Sequence, residues 1–160
     1  MNELRDNSEV GELIQYIVIK IDDEQYGINI KFIDNIVRMQ QITRVPKVDD
    51  YLKGVINIRG EIVPVMSVRM KMGLAEDEIT NKSRIISLKT NEGDLVGIIV
   101  DQVNQVLTLD SNNVEKMRYD DKKQKSSASF VSGVGHYDGG LVSILDLDAQ
   151  SVSFLLAMTR

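Results

Sequence analysis

Apolar positions along the chain fall in short runs rich in Ile and Val, separated by Asn, Asp and Gly. "QYIVIKI" (15–21) sets Ile17, Ile19 and Ile21 on one face and Tyr16, Val18 and Lys20 on the other, the period-two alternation of a strand. "DDEQ" (22–25) predicts a turn and "YGINI" (26–30) the returning strand of a hairpin. "KGVINIRGEIVPVMSVR" (53–69) reads as a second hairpin, with Gly60 supplying the backbone freedom its turn needs. A hairpin does not, however, require the arginine at 59. Further strands are predicted at "RIISLKT", "LVGIIV", "FVSGVGHY" and "GLVSILDL", a pattern typical of a barrel or sandwich. Helix is the minority: in "DAQSVSFLLAMTR" (148–160), Asp148 can cap and Val152, Leu155 and Leu156 make one apolar face.

The pattern repeats. "GINIKFIDNIV" (27–37) matches "GIIVDQVNQVL" (97–107), so that Ile30, Ile33 and Ile36 correspond to Val100, Val103 and Val106. "GVINIRGEIVPVMSV" from Gly54 matches "GVGHYDGGLVSILDL" from Gly133, pairing Arg59-Gly60 with Asp138-Gly139 and Ile62-Val63 with Leu141-Val142. Two matches in the same order imply two similar small β-barrels, each too small to be stable alone and therefore packed on a shared apolar surface. Residues 1–12, "MNELRDNSEVGE", are polar, acidic and aperiodic and are expected to form a flexible tail.

Composition narrows the function. At 160 residues with 42% apolar positions the chain is long enough to bury a core without covalent staples. Cysteine is absent, which excludes disulfides, zinc-thiolate sites and thiol nucleophiles. No apolar run approaches the roughly 20 residues of a spanning helix, and no leader pattern opens the chain. A cytoplasmic protein with no direct membrane insertion is therefore expected. The net charge of −5 disfavours nucleic acid, as does the lack of basic residues interleaved with aromatics. "DDKKQK" (120–125) carries its own acids and reads as a solvated loop.

No catalytic constellation emerges. The single histidine, His136, sits in "GVGHYDGG" where the first half has Asn57, as a hairpin residue rather than the base of a triad. The Asp pairs at 22–23, 49–50 and 120–121 lack the alternating ligands of a calcium loop. "GVGHYDGG" lacks the Lys-Ser/Thr of a phosphate loop, and nothing selects a pair of carboxylates for glycosidase chemistry. No catalytic residue, metal ligand or cofactor is expected, and the default class is a binding module. Arg59 is then either a solvated charge or a fork that ties loops or a partner together.

"GVINIRGEIVPVMSVR" resembles the signature G-V-x-N-x-R-G-x-I-V-P-x-x-x-x-R of the CheW-like domain family. "QYIVIKIDDEQYGINIKFIDNIVRMQQITRVP" resembles its N-terminal hairpin region and "GIIVDQVNQVLTL" the second-half equivalent. The likeness runs from about Leu13 to Leu156. It implies a mainly β fold of two intertwined, SH3-like, five-stranded barrel subdomains within 13–160, around a shared apolar interface and with a short C-terminal helix. It also implies an adaptor that couples the cytoplasmic tips of methyl-accepting chemoreceptors to the regulatory domain of the histidine kinase CheA and supports array assembly, recruited to the membrane through those partners. By matching positions, Ile33, Asn35, Gly54, Arg59 and Ile62 lie at or support the kinase-facing surface. Ile30, Ile85, Val100, Val103 and Val106 line or support the receptor-binding groove. Two departures stand out: Asn35 replaces the usual Glu, and Ser67 the Asp that often follows the proline. Within the family, the chain's end at Arg160 favours a standalone adaptor over the coupling module of a CheV-type adaptor. A nucleic-acid-binding barrel is the remote alternative.

Overall fold

The computed structural model describes residues 11–90, 92–116 and 131–145. Most of the expected acidic tail, the "DDKKQK" loop and the C-terminal helix lie outside the described residues. The chain folds as β1 (Leu13–Ile21), β2 (Glu24–Asn29), a 3-10 turn (Ile30–Phe32), β3 (Ile33–Arg38), β4 (Leu52–Ile58), β5 (Glu61–Ser67) and a one-turn helix α1 (Val68–Lys71). The second half follows with β6 (Arg84–Lys89), β7 (Leu95–Val100), β8 (Gln102–Asp110), another 3-10 turn (Ser111–Asn113), β9 (Val114–Lys116), β10 (Val131–Tyr137) and β11 (Gly140–Leu145). The first turn is shorter than "DDEQ" suggests. Asp22 takes a left-handed φ of 58°, so two residues suffice and Glu24 and Gln25 already pair in β2.

Two sheets result, one in the order β8, β1, β2, β11, β10, β9 and the other β3, β6, β7, β5, β4. The repeat maps β1 to β5 onto β6, β7, β8, β10 and β11, and under that mapping the two orders coincide. The sheets nevertheless do not coincide with the sequence halves, because β3, β4 and β5 join β6 and β7, while β8 to β11 join β1 and β2. Each sheet is completed by a parallel pair across the exchange: Ile144 lies opposite Gly27, and Val65 opposite Gly97. This mainly β architecture is consistent with two intertwined SH3-like subdomains. One sheet has six strands instead of five, the extra one being the short β9. Its first-half equivalent is a single bridge between Thr43 and Val55.

The core has three parts. Ile17, Ile19, Ile21, Ile28 and Leu145 from one sheet meet Met66, Ile86, Leu88, Val96, Ile98 and Val100 from the other, forming the shared interface. Ile56, Ile58, Val63, Val65, Ile85 and Ile99 fill the five-stranded subdomain. Tyr16, Val18, Leu109, Val142 and Ile144 fill the six-stranded one. Strands such as β1 are therefore buried on both faces: Ile17, Ile19 and Ile21 face the interface, while Tyr16 and Val18 face inward. That explains the near-continuous apolar runs of β1, β6 and β7. Among the described residues no helix is long and apolar enough to cross a membrane.

Candidate functional site

The hairpin of β4 and β5 turns on two residues, Arg59 (φ 50°) and Gly60 (φ 87°), the double left-handed turn that matches strand twist. Gly60 is therefore not alone in setting its geometry. Arg59 also takes a conformation disfavoured for a side chain with a Cβ. The Gly60 N–H donates to Asn57 Oδ1 at 2.9 Å, while Arg59 Nη2 lies 3.1 Å from Asp34 Oδ2. The arginine side chain is 69% exposed and the aspartate 11%, so the carboxylate is the fixed end of the pair. Asp34 Oδ2 also accepts from the Ser87 hydroxyl at 3.2 Å, and its Oδ1 is 3.8 Å from Lys89 Nζ. Asp34, Ile58, Arg59, Glu61, Lys89, Gly93 and Leu95 line one shallow depression.

Asp34 reaches Arg59 because β3 bulges there: Ile33 pairs with Leu88 and Asn35 with Ser87, leaving Asp34 as the extra residue. The same irregularity recurs in the second half, where Val18 pairs with Gln105 and Ile19 with Val103, leaving Asn104. The repeated positions carry different chemistry. Asn104 Nδ2 sits 3.4 Å from Gln25 Oε1, and Asp138 stands where the first half has Arg59. In the second turn positive φ falls instead on Gly140. The fold thus builds two equivalent tips, each with an exposed apolar residue (Ile62 66%, Leu141 60%), and only the first joins an arginine to an anchored acid.

Of the other residues matched to the kinase-facing surface, Asn35 turns its Oδ1 onto the Ile36 N–H at 2.9 Å, and half-buried Ile33 packs on the shared interface. Gly54 is buried, with φ 143°, so its part is internal. A Cβ there would lie 2.2 Å from the Thr43 carbonyl oxygen. In the receptor set, Ile85 and Val100 are fully buried and belong to different clusters, which leaves them support rather than contact. Val103 is half-buried against the shared interface. Ile30 and Val106 expose their side chains. Two of the five are thus buried, one is half-buried and two are exposed. Asp34 joins the Arg59 cluster although the sequence pattern does not single it out; its place beside Asn35 is its one available signal.

Arg69, the last residue of the family signature, proves to be a clasp. Its Nη1 is 2.8 Å from Asp101 Oδ2 and its Nη2 is 3.5 Å from Asp22 Oδ1, while Nε donates to Ala75 O at 3.1 Å. The Asp22 N–H donates to the same Asp101 oxygen at 2.7 Å. One guanidinium thereby joins the β1–β2 turn, the β7–β8 junction and α1. Ser67 caps α1 by accepting from the Met70 N–H at 3.2 Å and donates its own hydroxyl to Asp77 Oδ2. Asp77 Oδ1 is buried and has no hydrogen-bond partner among the described residues, and burial raises the carboxyl above its ordinary 3.8, against the opposing pull of Ser67 and Arg69.

A raised folded-state value means that the native state holds the proton more tightly than the unfolded chain. Asp77 therefore favours folding below pH 3.8, and that contribution is lost as pH rises through the raised value. Asp77→Asn is expected to melt higher than wild type at pH 7, by up to about 3 °C, because it removes a carboxylate whose burial disfavours its charge. The gap should close on acidification. Melting curves from pH 3 to 8 check this, and a gap that widens toward low pH would contradict the sign.

Among the described residues no three His, Asp or Glu side chains converge on a metal-binding arrangement. His136 Nε2 lies 3.5 Å from Glu115 Oε1 on the outer face of the β9–β10 pair. The CheW-like domain family model matches residues 15–153. The chain is 33% identical to the chemotaxis protein CheW of Bacillus subtilis, over 83% of each protein. It is 32% identical to that of Thermotoga maritima, over 92% of each. The crystal structure of the scaffolding protein TtCheW from Thermoanaerobacter tengcongensis superposes with a TM-score of 0.75, at 28% identity and 86% coverage of both chains.

Proposed function

The chain belongs to the CheW-like domain family, and from that premise we propose that it is a non-catalytic chemotaxis adaptor coupling methyl-accepting chemoreceptors to the histidine kinase CheA. On this reading it acts at the cytoplasmic face, reaches the membrane only through its partners, and supports array assembly. The observation that carries the choice of surface is the asymmetry of the two repeated tips. Both present an apolar residue, Ile62 or Leu141, but only the first holds an arginine against an anchored acid. Bound through one nitrogen, Arg59 keeps other N–H donors for a partner. The CheA regulatory domain is assigned to this tip, with Asp34 added to the expected set and Ile33, Asn35 and Gly54 as its support. The receptor tip is assigned to exposed Ile30 and Val106 and half-buried Val103, with buried Ile85 and Val100 as support from within the core.

Arg59→Gly is the informative variant, because glycine accepts the left-handed turn at no steric cost and folding is not confounded with binding. The variant is expected to melt no lower than wild type. Its affinity for the CheA regulatory domain should fall about ten-fold, as expected for the loss of a charge-assisted contact, and receptor-dependent kinase activation should fall with it. Pull-down with a receptor cytoplasmic fragment alone should be unchanged. Full kinase binding and full activation by a folded Arg59→Gly protein would return the arginine to an ordinary surface charge.

A further inference from the structure

We propose that Arg38 and Arg84 form a second docking point, separate from the Arg59 tip, that receives a glutamate or aspartate side chain from an acidic segment of a protein partner. The two arginines are direct cross-strand partners at the end of the β3–β6 pair, where like charges repel. Together with Met39, Thr80, Asn81 and Ser83 they line a notch. Among the described residues no carboxylate is ion-paired with either guanidinium, although the whole chain carries a net charge of −5.

The notch is built before any ligand arrives. Arg84 Nη1 donates to the carbonyls of Asn81 and Ser83, both at 2.8 Å. The loop beneath is closed by Thr80 N–H to Ser83 Oγ at 2.9 Å, Ser83 N–H to Thr80 O at 3.1 Å and Lys82 N–H to Thr80 Oγ1 at 3.1 Å. One nitrogen of Arg84 is thus occupied with holding the side chain still, while Nη2 and Nε retain their N–H groups. A pinned guanidinium loses little further rotamer freedom on binding. Two forks beside hydroxyl groups suit a planar oxyanion. Half-buried Met39, packed on the five-stranded subdomain's cluster, adds an apolar wall for a side-chain stem. That wall favours a carboxylate carried on an amino acid over a bare inorganic anion.

The test uses the full chain, titrated at constant ionic strength with hexaglutamate and, in parallel, with inorganic phosphate. Hexaglutamate should bind wild type and bind Arg38→Gln about ten-fold more weakly. Arg38 makes no intramolecular ion pair among the described residues and its charge opposes that of Arg84 across the strand pair, so this variant should melt no lower than wild type. Arg38→Glu should lose binding and melt higher than wild type, because the introduced carboxylate faces Arg84 directly. Arg59→Gly should bind hexaglutamate like wild type, which separates this site from the coupling surface. Hexaglutamate binding that is absent or indifferent to Arg38→Gln would overturn the proposal. So would an Arg38-dependent response to phosphate alone, or a lower melting temperature for Arg38→Glu.

Discussion

A polypeptide ending at Ala75 is expected to be molten or aggregated, with no cooperative melt. Such a fragment retains β1 and β2 of one sheet and β3, β4 and β5 of the other, so neither sheet can be completed. β3 loses its partner β6, β5 loses β7 and β2 loses β11. The shared interface keeps Ile17, Ile19, Ile21, Ile28 and Met66 but loses Ile86, Leu88, Val96, Ile98, Val100 and Leu145. Each lost side chain represents about 1.5–3 kcal/mol of burial, and together they rival the roughly 5–15 kcal/mol of a whole domain's stability. Exposed apolar surface beside unpaired strand edges then favours association. Circular dichroism with a thermal scan and dye binding reads the outcome. A sharp melt with native-like near-UV signal from this fragment would reject the exchanged topology. Adding residues 76–160 as a separate chain should restore part of the native signal, since the missing strands are supplied in trans.

The internal symmetry is legible in the sequence, because both halves must satisfy the same packing problem with the same spacing of Gly and Ile. The exchange of strands is not. A strand that ends one hairpin unit and a strand that enters the other sheet carry the same period-two pattern, and only long-range pairing distinguishes them. The division of β1 between two cores is equally hidden, since Val18 and Ile19 are both apolar and face opposite clusters. The receptor-facing set is least legible, because sequence cannot tell buried Val100 from its repeat equivalent, exposed Ile30.

In this chain the carboxylate beside Arg59 comes from Asp34, which the β3 bulge leaves as the extra residue. The carboxylate beside Ser67 comes from Asp77, returned by the loop after α1. Both acids reach their partners through local backbone geometry that a position-by-position reading of the sequence does not show.

Gly54→Ala is expected to be the most damaging single substitution among the matched positions, and through folding instead of docking. The glycine has φ 143°, and an added Cβ would meet the Thr43 carbonyl oxygen at 2.2 Å and Ile42 Cγ2 at 2.8 Å. Relief requires that segment to move away, and Thr43 and Val55 exchange both of their backbone hydrogen bonds, at 2.9 and 2.8 Å. Backbone strain of about 1–3 kcal/mol adds to roughly 1 kcal/mol for each bond lost. The sum lowers the melting temperature by on the order of 10 °C. The second half uses the same device, since a Cβ on Gly133 would lie 2.5 Å from the Glu115 carbonyl oxygen across the β9–β10 pair, and Gly133→Ala should rank beside it. Gly60 provides the control. It also has positive φ, but nothing lies within 4 Å of its Cβ position, so Gly60→Ala bears backbone strain alone and should cost about 1 kcal/mol. Calorimetric melting of the three variants decides between the two causes. Equal losses at 54 and 60 would reduce the effect to φ alone, whereas a loss several-fold larger at 54 and 133 assigns it to the neighbouring backbone that each glycine admits, the Thr43 bridge and β9.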